Sequence, residues 1–158
     1  MSAGGWAVWG FVATALFTGL MAGSQGLGLT RMNVPFMLGT LFTPERSRAK
    51  VIGAAVHLAN GWALALFYAA ALRLWGGATW WRGALLGLGH AAFVLTVVMP
   101  LLPGVHPRMA SEQHGPEAGR LLEPPGFLAL HYGWQTPLWV VLGHLAYGLV
   151  LGHFLPGP

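Results

Sequence analysis

Residues 51–75 read Val51-Ile-Gly-Ala-Ala-Val-His57-Leu-Ala-Asn60-Gly-Trp-Ala-Leu64-Ala-Leu-Phe-Tyr-Ala-Ala-Ala-Leu-Arg73-Leu-Trp75, and this stretch decides the fold. Its one charge, Arg73, lies at its far end. As a helix it reaches about 37 Å, enough to cross a hydrocarbon core of about 30 Å. A soluble helix of this length would carry an ion about every fourth residue. The whole chain follows the same rule: of its 158 residues 8% are charged and 55% hydrophobic, with a mean hydropathy of +0.60. Such a composition excludes a water-exposed globule, and disorder as well, which needs low hydrophobicity and high net charge.

Three further runs flank it: Trp6 to about Leu29, Trp81 to about Leu102, and about Phe127 to Phe154, broken near Pro137. The short apolar piece inside residues 30–43 is too short to span and reads as interfacial or re-entrant, followed by a charged turn from Thr43 to Lys50. Pro100 and Pro103 are expected to end or kink the third run. The most polar stretch, 103–126, reads as a loop outside the membrane. The expected fold is an all-α membrane protein with four transmembrane helices and one polytopic domain over 1–158. The start, MSAGGWAVWG, has no basic residue of the kind that opens a secretory signal, so the first run is expected to be retained.

The few charges are clustered. All four acids and six of the eight bases fall within 31–50 and 108–123. With four spans these windows share one side, and the positive-inside bias places them in the cytoplasm and both termini outside. Trp6, Trp9, Trp75, Trp80 and Trp81 then form an aromatic belt at the outer interface. The net charge of +4 comes from juxtamembrane arginines, not from the basic stripe a nucleic-acid binder needs. The expected partner is the lipid bilayer.

His57-Leu-Ala-Asn-Gly-Trp-Ala-Leu64 in the second run matches His144-Leu-Ala-Tyr-Gly-Leu-Val-Leu151 in the fourth, as H-L-A-x-G-x-x-L. Arg31-Met32 follows the first run much as Arg108-Met109 follows the third. The pattern implies two tandem, similar hairpins, about 6–75 and 81–154, related by an axis along the membrane normal. Small residues recur four apart at Gly10, Thr14, Thr18 and Ala22, at Gly83, Gly87 and Ala91, and at Gly148 and Gly152. That spacing suits close helix contact, inside the chain or in a homo- or hetero-oligomer.

Chemistry is confined by what is missing. There is no Cys and no Asp, and Glu45, Glu112, Glu117 and Glu123 all lie in loops. Thiolate and Ser-His-Asp catalysis and an intramembrane acidic relay are therefore excluded, and Ser24, Ser47 and Ser111 have no G-x-S-x-G setting. The ionisable groups inside the spans are His57, His90 and His144, with Asn60 one turn from His57. Three readings stay open for them and their surroundings. The first is a non-enzymatic bundle, transporter-like or a partner subunit, whose histidines hydrogen-bond between helices. The second is a redox protein in which His57 and His144, with His90 as a further candidate, hold haem or a metal, with a copper variant using His106, Met109, His114 and Met99. The third is an interfacial lipid-acting enzyme built on Arg31, Asn33, His106, Arg108 and Glu112, the arginines binding lipid phosphate.

Four stretches carry a resemblance: Met32-Asn-Val-Pro-Phe-Met-Leu-Gly-Thr-Leu-Phe-Thr-Pro44, Val56-His57 with Asn60-Gly61-Trp62, Pro103-Gly-Val-His-Pro-Arg-Met-Ala-Ser-Glu112 and Pro124-Pro-Gly-Phe-Leu-Ala-Leu130. On these the chain resembles the small bacterial four-helix membrane proteins grouped as domains of unknown function. The resemblance covers nearly the whole chain. It implies a bacterial inner-membrane location and supplies no activity, cofactor or substrate.

Overall fold

The computed structural model describes residues 5–111, 119–120 and 122–155. Glu112, His114 and Glu117 lie outside the described residues. Helix α1 spans Gly5–Gly26, α2 Val34–Gly39, α3 Arg46–Leu74, α4 Trp80–Phe93, α5 Met99–Val105 and α6 Thr136–Phe154. A π-helical turn, Val94–Val98, joins α4 to α5, and a 3-10 turn, Phe127–Tyr132, precedes α6. Among the described residues the only strand-like pairing is an isolated bridge between Met109 and Leu122. Among the described residues, four helical stretches are long and apolar enough to cross a membrane: α1, α3, Trp80–Val105 and α6.

The boundaries differ from the sequence expectation where side chains intervene. The charged turn is largely the start of α3, because the Glu45 carboxylate accepts the Ser47 and Arg48 amides at 2.8 and 3.1 Å and caps the helix. The third span continues past Pro100. Proline has no N–H to donate and its ring crowds the carbonyl four residues back. The helix accommodates it with the wide turn just upstream, where the Met99 amide reaches back to Val94 O. Pro137 lies in the first turn of α6, where a missing N–H leaves nothing unpaired, so the expected break is a helix start.

Helix α1 packs against both α3 and α6, and α6 packs most extensively on α4, whereas α3 and α4 scarcely meet. The spans thus form an open row, α3–α1–α6–α4, with a cleft between its two ends. The small-residue stripes account for the tight pairs. A Cβ on Gly61 would run into the Thr14 side chain, and one on Gly10 would lie 2.7 Å from Ala65 Cβ. In the second hairpin a Cβ on Gly83 would run into Gly148 O, and one on Gly87 into His144 O. In both hairpins a His-x3-Gly-x3-small stripe of the later helix faces a small-x3-small stripe of the earlier one. Most of the glycines expected to serve association are therefore used within this chain.

The short α2 lies along the first turns of α3, so close that Gly39 would meet Ala49 O and Gly53 would meet Pro35 O if either had a Cβ. Asn33 starts α2, its Oδ1 accepting the Phe36 amide at 2.9 Å while its Nδ2 donates to Gln25 Oε1 at 3.1 Å. At this same end the loops of the two halves interlock: the Arg31 amide donates to Tyr132 O at 2.8 Å, and Arg31 pairs with Glu123 at 2.8 Å. The windows that carry most of the charge therefore share one end of the bundle. At the other end Arg82 lies against Trp75 and Trp81, and Trp9 stacks on Phe154.

Candidate ligand cleft

Between α3 and α4 lies a partly open cavity of about 220 Å³. Its floor is Thr14, Phe17, Val140, His144 and Tyr147 from α1 and α6. Its flanks are His57, Asn60 and Leu64 of α3 and His90, Val94 and Val98 of the α4 side, and Met37, Met99 and His106 close its loop end. All four intramembrane polar residues singled out from the sequence thus line one space. His57 lies about 16 Å along α3 and His90 about 15 Å along α4, entering from opposite ends, so both sit well inside the candidate spans.

Hydrogen bonds fix the tautomers of two of the three rings. His144 Nδ1 lies 2.8 Å from Val140 O, a carbonyl that only accepts, so Nδ1 carries the proton and Nε2 is an acceptor. Thr18 donates its hydroxyl proton to Thr14 O at 2.7 Å, so at 2.9 Å from Thr18 Oγ1 it is His57 Nε2 that donates. His57 Nδ1 is therefore also an acceptor. Among the described residues no hydrogen bond reaches His144 Nε2 or the side-chain amide of Asn60, which is exposed. His90 shares a 3.2 Å bond with Tyr68, which joins α3 to α4 beside the cleft. Tyr147 donates to Gly61 O at 2.6 Å and ties α6 to α3.

Phe17 stands in the middle of the group. Its ring centroid is 4.9 Å from that of His144, edge-on, and 5.8 Å from that of His57. His90 and His144 meet edge-to-face at 4.5 Å. A second cavity of about 210 Å³ lies behind this wall, reaching from Thr18 and His57 to Gln25, Asn33 and Lys50 at the charged end. The two cavities share Phe17, Met32, Val34 and His57.

Phe17, Thr18, Tyr68 and Tyr147 escaped the sequence reading as functional residues. A signal existed for Tyr147: it occupies the x of H-L-A-x-G in the second hairpin, where the first has Asn60, and both line the cavity.

A bis-histidine haem does not fit these residues, because Phe17 lies between His57 and His144 and His57 Nε2 is taken up by Thr18. Among the described residues no group of three or more His, Asp or Glu is placed to hold a metal ion. The copper set fares no better, since both His106 nitrogens are engaged and Met109 is fully buried. His114 lies outside the described residues.

The residues considered for lipid phosphate hold the protein's own backbone. Arg31 donates to His131 O as well as pairing with Glu123. Arg108 donates to Thr40 O and Leu41 O, at 2.5 and 3.2 Å, and so caps the carbonyl end of α2. His106 Nδ1 accepts the Arg108 amide at 3.1 Å while Nε2 donates to Met37 O at 3.1 Å. Burial holds the His106 pKa below its ordinary value, opposed by the bond to Met37 and assisted by the charges of Arg108 and Arg120. A depressed histidine pKa means that the unfolded chain binds the proton first. Stability is therefore expected to fall as pH drops through 6.5 toward the folded pKa, then to level off. Melting of His106→Gln should lose that part of the pH dependence; an unchanged slope from pH 7 to 5 would place its origin elsewhere.

Comparison of the chain with family models, with curated proteins and with solved structures gave no match.

Proposed function

We propose that this is a multi-pass protein of the bacterial inner membrane, related to the four-helix proteins it resembles, that binds a small lipid-soluble molecule in the cleft between α3 and α4. It acts as a binding or transport element and not as an enzyme. Its charged loops lie in the cytoplasm and its termini outside, as the base count of the two ends favours. The two-hairpin duplication is favoured by the matching His-x3-Gly-x3-small stripes and by the way both are packed.

One observation carries the binding reading: an unpartnered nitrogen of the buried His144 and the exposed Asn60 amide border a partly open, mostly apolar cavity between α3 and α4, within the candidate spans. Hydrocarbon offers such groups no partner, and each costs several kcal/mol when left bare there. A pore for ions would need a polar lining from end to end, whereas this wall is mostly Val, Leu, Met and Phe. The site has the composition of a small-molecule pocket, apolar with a few convergent polar groups.

The test is extraction. Protein purified in lipid nanodiscs is expected to release a low-mass compound on solvent extraction that Val94→Trp, which fills the cavity, retains at least severalfold less. Identical extracts from the native protein and the filled variant, with both folded, would rule the cleft out as a binding site.

A further inference from the structure

The cleft also specifies what kind of polar group it takes. Resting on the binding reading above, we infer that its ligand presents a hydroxyl hydrogen-bond donor on a head about the size of one ring, with an apolar tail in the bilayer. The sign of the hydrogen bond comes from the tautomers. His144 is committed through Nδ1 to Val140 O, and its side chain is over nine-tenths buried, so Nε2 offers only a lone pair to the cavity. His57 is committed through Nε2 to Thr18 and keeps Nδ1 as an acceptor. A carbonyl or ether oxygen placed against either nitrogen would set lone pair against lone pair. The hydroxyl donates to Nε2 of His144, the more buried of the two rings, and still accepts from the Asn60 amide at the cleft wall.

Size follows from volume. An apolar cavity of about 150 Å³ takes one benzene ring, and this one, at about 220 Å³, takes a ring with small substituents. Anything longer must leave through the opening between α3 and α4, where lipid chains surround it. Methionines at the loop end, Met37 and Met99, give an adaptable wall on that side.

The experiment compares 4-pentylphenol with 4-pentylanisole, which differ by replacement of the donor hydrogen with a methyl group. Both are titrated into nanodisc-embedded protein at equal mole fraction in the lipid, and the ¹⁵N resonance of the unprotonated His144 nitrogen is followed. The phenol is expected to bind about three- to tenfold more tightly, the ratio one net hydrogen bond supplies, and to shift that resonance where the anisole does not. His144→Phe, which keeps an aromatic ring beside Phe17 and His90, should remove the preference, so that phenol and anisole bind this variant equally. Should His144→Phe not fold, the paired ligands and the resonance in the native protein decide alone. Equal binding of phenol and anisole overturns the hydroxyl reading while leaving the cleft as an apolar site. No saturable binding of either, in a protein whose extract matches that of Val94→Trp, overturns the cleft as well.

Discussion

Gly83→Ala is expected to lower stability by about 2–3 kcal/mol, whereas Gly89→Ala on the same helix is expected to be neutral or stabilising by up to ~1 kcal/mol. The first change puts a methyl group into Gly148 O and against the backbone of Gly152. Neither can move aside as a side chain tip would, so α4 and α6 must separate along their length. Overpacking of this kind costs about 1–3 kcal/mol, and the upper part of that range applies because α4 and α6 form the most extensive helix pair in the bundle. The second change meets nothing within 4 Å and retains only the helix-propensity gain of Ala over Gly. Reversible unfolding in mixed micelles, read by tryptophan fluorescence, separates the two. Equal loss in both variants would mean that α4 and α6 do not approach at Gly83.

That contrast shows what the sequence can and cannot convey. Spacing marked Gly83 and Gly87 as contact residues, because any small residue repeated four apart makes a flat strip on a helix. It could not say whether the strip faced a neighbour within the chain or another copy. Gly10, Gly61, Gly83 and Gly148 all face neighbours within the chain, whereas Gly19 and Gly23 have open space beside them. Four spans were legible for a simpler reason: charge is excluded from hydrocarbon at a cost that hydropathy reflects directly.

Helix starts were less legible, since a glutamate at 45 reads equally as a charged turn or as an N-cap until its bonds to the Ser47 and Arg48 amides are seen. His57, Asn60, His90 and His144 could be named from scarcity alone, because the spans hold few other polar side chains. Their meeting in one cleft depends on α3 and α4 failing to pack, which no local pattern encodes. Arg31 and Arg108 were legible as a pair, and their true partners, Glu123 and the carbonyls of Thr40 and Leu41, lie too far along the chain for spacing to reveal.

Phe17→Ala is expected to cost about 3 kcal/mol and to join the two cavities into one. Phe17 is 9% exposed and carries ring contacts to both His57 and His144. Truncating a buried phenylalanine costs about 3–5 kcal/mol, and the lower end applies because one side of this ring already faces empty space. Phe17→Leu keeps most of the volume and should cost about 1 kcal/mol. The larger consequence is access. With the ring gone, the space beside Lys50, Gln25 and Asn33 becomes continuous with the space beneath His144. Because the chain has no cysteine, a single Leu64→Cys thiol on the cleft wall reports this directly. A water-soluble thiosulfonate added at the charged face should label it at least tenfold faster in the Phe17→Ala background than in the Phe17→Leu one. Equal rates would show that the wall between the cavities is held by Met32 and Val34, and that Phe17 only fills space. A difference would make Phe17 the element separating a bilayer-facing pocket from the charged end, with His57 on the boundary between them.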